Sequence, residues 1–81
     1  MKGVIVTGGA HGIGRQICLD FLKEGYTVCF IDINKNGKEL ERNNLYFYHG
    51  DVKDKNQLAD FVSFALNKMG RIDVLVNNAC Y

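Results

Sequence analysis

Eighty-one residues bound this chain to a single domain with a modest core, burying about 60–65% of its unfolded surface. With 47% hydrophobic residues, 23% charged residues and a net charge of +1, its make-up is that of an ordinary globular α/β protein. The ten basic residues are scattered without forming a stripe, which argues against nucleic acid or a membrane surface as a partner. No apolar run approaches the roughly 18 residues of a membrane span, and the first residues do not read as a signal peptide. Three cysteines, with Cys18 and Cys29 in apolar settings, fit a reduced, cytoplasmic protein.

In chain order, residues 3–7 around Val4-Ile5-Val6 predict a first strand. The string T-G-G-A-H-G-I-G, residues 7–14, follows it directly. A helix is then predicted over residues 13–23, with Ile13, Ile17, Cys18, Phe21 and Leu22 on one face and Gly25 placed to end it. A strand, a glycine turn and a helix make an anion site from backbone alone. The helix N-terminus offers unpaired N–H groups and the positive end of its dipole, and glycines let a phosphate approach. Gly8, Gly12 and Gly14 are spaced G-x-x-x-G-x-G, which is neither G-x-G-x-x-G nor a P-loop.

Residues 27–33 form an almost unbroken apolar run, as in a strand covered on both faces, with Asp32 near its carboxyl end. Residues 34–43 predict a short helix with Leu40 as its one apolar anchor. A third strand over residues 45–48 runs on to Asp51-Val52. Asp54 and Gln57 match an N-terminal cap, and Leu58, Phe61, Val62, Ala65, Leu66 and Met69 trace the stripe of a helix ended by Gly70. Residues 73–76 give a fourth strand, closed by Asn77-Asn78-Ala79-Cys80. Alternating strands and helices predict a parallel sheet, and right-handed crossovers order it 3-2-1-4. The first two helices then share one face and the third lies on the other. A site falls at the switch point between strands one and four.

The glycine string and the strand-end residues Asp32, Asp51-Val52 and Asn77-Asn78-Ala79 together resemble the short-chain dehydrogenase/reductase family over the whole chain. The resemblance implies an α/β, three-layer Rossmann-type fold. Residues 1–81 would be the N-terminal portion of one NAD(P)-binding domain, ending after its fourth strand. It implies that Thr7, Gly8, His11, Gly12, Ile13 and Gly14 surround the pyrophosphate, with Ile13 contributing its backbone N–H. Asp32 would accept hydrogen bonds from the adenosine ribose, with Ile33 beside it. Asp51 and Val52 would meet the adenine, while Asn78 and Ala79 pass close to the nucleotide.

The Asp32 charge repels a 2′-phosphate, so NAD is preferred over NADP. His11 agrees, because NADP-preferring members often carry Arg or Lys there; Lys35 is the counter-argument. Asp32 also reads as a solvated strand-end residue or a helix cap, and Asp51 as a cap of the next turn. The resemblance gives Asn77 the task of steadying the sheet. Cys80 departs from the family's glycine, and a redox or metal role for it has no partner at ligand spacing. His49 reads as structural.

The family's Ser, Tyr-x-x-x-Lys and further Asn cannot be assigned. Ser63, the only serine, is mid-helix, Tyr26, Tyr46 and Tyr48 have no Lys four residues on, and Tyr81 is the last residue. No catalytic residue and no metal site is therefore named, and this chain alone is expected to be inactive. The reading is the N-terminal part of an NAD-dependent short-chain oxidoreductase. The alternatives are a non-catalytic NAD-binding module and a self-associating remnant. An unpaired fourth strand or an uncovered sheet face predicts self-association.

Overall fold

The computed structural model describes residues 1–79; Cys80 and Tyr81, and with them the departure noted at Cys80, lie outside the described residues. Four strands, β1 (Gly3–Thr7), β2 (Thr27–Asp32), β3 (Leu45–His49) and β4 (Val74–Asn77), pair in parallel in the order β3-β2-β1-β4. The connections are α1 (Gly12–Lys23), a short 3₁₀ helix (Lys35–Leu40) and α2 (Lys55–Met69).

The period-2 alternation of the strands sorts the core into two layers. Val4, Val6, Val28, Phe30, Leu45 and Phe47 point to the side of α1 and the 3₁₀ helix, where Cys18 and Leu40 meet them. Ile5, Cys29 and Ile31 point to the other side, against Phe61 and Ala65 of α2. Every residue of β1 and β2 is buried, which is why those runs carry so few polar side chains.

Three expected core positions lie outside the core. Ile13 is 75% exposed, because it sits in the first turn of α1, at the glycine-loop end of the helix. Leu66 is 46% and Leu58 36% exposed. α2 makes its main sheet contacts with β2 and β3, and these two side chains lie outside the apolar cluster it forms there around Phe61 and Ala65. Boundaries shift by a residue or two, and the predicted helix over residues 34–43 shrinks to a 3₁₀ turn pinned by Leu40. Gly37 there lies so close to the Phe47 ring that a Cβ would come within 2.5 Å of it.

The two sheet edges differ. At β3, Glu41 Oε2 accepts a hydrogen bond from Phe47 N (3.1 Å), and Arg42 pairs with Leu45 in an antiparallel bridge. Burial works to raise the Glu41 carboxyl, but the hydrogen bond and charge of Lys38, together with Phe47 N–H, hold it below the ordinary carboxylate range. Among the described residues no strand lies beyond β4, and Leu75 on it is 62% exposed. Among those residues, too, no helix is long and apolar enough to cross a membrane.

Candidate functional site

The glycine loop is tied to the end of β4 through one hydroxyl. Thr7 Oγ1 donates to Asn77 Oδ1 (3.1 Å) and accepts from Asn78 N (2.9 Å) and Ala79 N (3.0 Å). Asn78 Nδ2 donates to the Gly8 carbonyl (2.9 Å), closing the knot. Gly8 has φ +73°, and a Cβ there would stand 3.0 Å from Ala79 Cα, so both conformation and space demand glycine. At Gly14 a Cβ would run into the Gly8 carbonyl oxygen and come within 2.5 Å of Asn78 Nδ2. Gly14 thus lets α1 dock against the loop. Thr7 and Gly14 are buried and hold the site together from behind.

The start of α1 is left electrically open. His11 precedes it in extended conformation, no side chain caps it, and its first turn has no acidic residue. The contrast is α2, where Asp54 Oδ1 accepts from Asn56 N (2.9 Å) and Gln57 N (3.2 Å). Backbone donors and a positive dipole end without a built-in anion suit an external one. Gly12 and Ile13 form that exposed first turn.

Beside this turn lies an open cleft of about 560 Å³, lined by Gly8, His11, Asp32, Ile33, Asn34, Asn78 and Ala79. Asp32 is only 7% exposed. Its Oδ2 accepts from Ala10 N (2.9 Å) and its Oδ1 from Asn34 N (2.8 Å). Each carboxylate oxygen thereby uses one acceptor site on backbone and keeps another for a hydroxyl donor. Capping and cleft-lining coexist in the same side chain.

Beyond Ile33, which is 48% exposed, a second hollow of about 370 Å³ is lined by Ile33, His49, Gly50, Asp51 and Gln57. Asp51 Oδ1 accepts from Lys53 N (2.9 Å), so it does cap its own turn. Gln57 Oε1 accepts from Asp51 N (2.7 Å) while its Nε2 reaches Asp54 Oδ2 (3.1 Å). The cap of α2 therefore extends back to hold the Asp51 loop. Val52 is partly buried and packs against the core layer around Phe61. His49 Nε2 donates to the Ile33 carbonyl (3.0 Å) and joins the two strand ends.

Sequence reasoning missed two contributors. Ala10 supplies the N–H that anchors Asp32, and Asn34 lines the cleft while its Oδ1 accepts from Asn36 N (2.9 Å). An Asn directly before a helix is a cap signal, and that signal was available. Cys18 and Cys29 take no part in the cleft. Burial pushes each thiol up to about 12. Among the described residues no cluster of His, Cys, Asp or Glu could hold a metal ion.

The family model described as short chain dehydrogenase matches residues 2–81. Xanthoxin dehydrogenase of Arabidopsis thaliana is 36% identical over 96% of this chain and 30% of its own length. The apo SCOR enzyme from Clostridium thermocellum is 59% identical with a TM-score of 0.93, over 99% of this chain and 34% of that one. ElxO with NADP bound is 38% identical with a TM-score of 0.88, over 99% of this chain and 35% of that one. The 3-ketoacyl-(acyl-carrier-protein) reductase from Brucella melitensis complexed with NADH is 29% identical with a TM-score of 0.93, over 96% of this chain and 34% of that one. The chain spans about a third of the length of the proteins it matches.

Proposed function

The chain belongs to the short-chain dehydrogenase/reductase family, and from that premise we propose that it holds NAD, in preference to NADP, across the cleft and the hollow beyond Ile33. The observation that carries this reading is Asp32, a nearly buried carboxylate in the cleft wall with acceptor capacity left over. A ribose diol can donate into those sites, whereas a 2′-phosphate would meet a like charge at short range in a poorly solvated place. The first turn of α1 receives the pyrophosphate on its backbone N–H groups, with Gly8, Gly12 and Gly14 allowing the approach. Ile33 and the Asp51 loop flank the adenine, and Asn78 and Ala79 guide the nicotinamide half. The bound dinucleotide would supply the hydride acceptor or donor; the residues here bind and orient it.

In this reading the full-length protein is a cytoplasmic NAD-dependent oxidoreductase acting between an alcohol and a carbonyl, and residues 1–81 by themselves turn nothing over. Calorimetric titration with NAD⁺ and NADP⁺ tests it. The wild-type chain is expected to bind NAD⁺ saturably and more tightly, and Asp32→Asn to lose that preference while circular dichroism shows it folded. Tighter binding of NADP⁺, or of neither, overturns it.

A second proposal concerns association. The β3 edge is guarded by Glu41 and the Arg42 bridge, while β4 and the exposed Leu58, Leu66 and Leu75 are not. An unguarded edge and exposed apolar side chains are each a template for association, so copies of this chain associate through β4 or through the face that carries Leu58 and Leu66. Sedimentation velocity should show dimers that Leu75→Lys disperses; a monomer at every concentration contradicts this.

A further inference from the structure

Two side chains that line the Asp32 cleft are joined by a polar contact, His11 Nε2 to Asn34 Nδ2 at 2.6 Å. It joins the β1–α1 loop to the loop after β2. Which atom gives the proton is fixed by a neighbour. Asn34 Oδ1 caps the 3₁₀ helix by accepting from Asn36 N, so the amide presents its NH₂ to His11. An NH₂ group can only donate, hence His11 Nε2 accepts and the proton of the neutral ring sits on Nδ1. A protonated His11 has donors on both nitrogens and cannot keep this contact. Turning the Asn34 amide to compensate would sacrifice the cap.

Resting on the dinucleotide reading above, we propose that His11 and Asn34 form a proton-sensitive latch that sets discrimination at the ribose 2′ position. With the latch closed, the cleft offers a carboxylate, Asp32, and a neutral imidazole; a 2′-hydroxyl suits it and a 2′-phosphate does not. A proton on Nε2 opens the latch and turns the same ring into a cationic donor facing the cleft. Such a donor forms charge-assisted hydrogen bonds with phosphate oxygens. Other charged groups on the flanking elements are Arg15, Asp20 and Lys23 in α1, Lys35, Lys38 and Glu39 in the 3₁₀ helix and Asp32 at the end of β2; of these Asp32 alone shares the cleft lining with His11.

The test is titration of NAD⁺ and NADP⁺ into the wild-type chain and His11→Gln at about pH 8 and about pH 5.5, on either side of the ordinary histidine range. Gln can accept from Asn34 but takes up no proton. A 2′-phosphate also protonates near pH 6, and His11→Gln reports that contribution separately. On acidification, the NADP⁺/NAD⁺ dissociation-constant ratio of the wild type is expected to fall about tenfold relative to His11→Gln. Parallel ratios in the two chains, with both dinucleotides bound, overturn the latch and leave the cofactor reading standing. Binding of neither dinucleotide at any pH defeats both. A second readout needs no ligand: ring ¹⁵N shifts at pH 8 should show His11 as the Nδ1–H tautomer, and Asn34→Ala should mix the tautomers. An Nε2–H ring in the wild type contradicts the latch directly.

Discussion

Thr7→Val removes one hydroxyl, and the consequence can be worked from its partners. The side chain is 5% exposed and the change keeps its volume and β-branching, so packing is nearly conserved. Two backbone N–H groups, those of Asn78 and Ala79, lose their acceptor, while exposed Asn77 can turn to water. At about 1 kcal/mol net for each N–H, the loss is about 2 kcal/mol, rising to about 4 if both stay dry. A chain of this size has a total stability of about 4–12 kcal/mol, so the effect is large. Urea denaturation followed by circular dichroism should show a lower midpoint with unchanged slope, and the melting temperature should drop by roughly 8–16 °C. Thr7→Ser keeps the hydroxyl, loses a buried methyl, and should cost about 1 kcal/mol. A Thr7→Val chain within about 0.5 kcal/mol of wild type, or more stable than Thr7→Ser, would refute the argument that this hydroxyl ties the loop to β4.

Gly14→Ala places a methyl against the Gly8 carbonyl and Asn78, so α1 must shift away from the loop; NAD⁺ binding should weaken at least about tenfold, roughly 1.4 kcal/mol, by calorimetry. Cys18 and Cys29 should resist iodoacetamide at pH 8 in the folded chain and react once it is unfolded in urea, as peptide mass mapping would report. Their folded-state values stand above the ordinary 9.0, near 12, so their contribution to stability is complete below pH 9 and is lost as pH rises toward 12. A Cys18→Ala/Cys29→Ala chain should therefore lose stability less steeply over that window.

The strands were legible because β1 and β2 are buried on both faces and leave long apolar runs that few other structures need. The order of the sheet followed from crossover handedness. What the residues could not declare was coverage. Leu58 and Leu66 satisfy the helical period as well as Phe61 does, yet they stay exposed while Phe61 and Ala65 are buried against the sheet, and periodicity carries no information about which part of an apolar stripe the neighbouring elements cover. Ile13 misled in the same way, its spacing to Ile17 being that of a core residue while its turn is exposed. Within the site, Asp32 and the glycines were readable from type and position. The part played by Asn34 was not, because it depends on which way an amide is turned by its own cap.

Amide chemical shifts of the ¹⁵N-labelled chain during NAD⁺ titration test the central claim most directly. Saturable shifts are predicted for residues 8–14, 32–34, 49–51 and 78–79, tracing the cleft and the hollow beyond Ile33. Shifts confined to the hollow at the β3 edge, around Lys38, Arg42 and Lys68, or no shifts at millimolar NAD⁺, would contradict it.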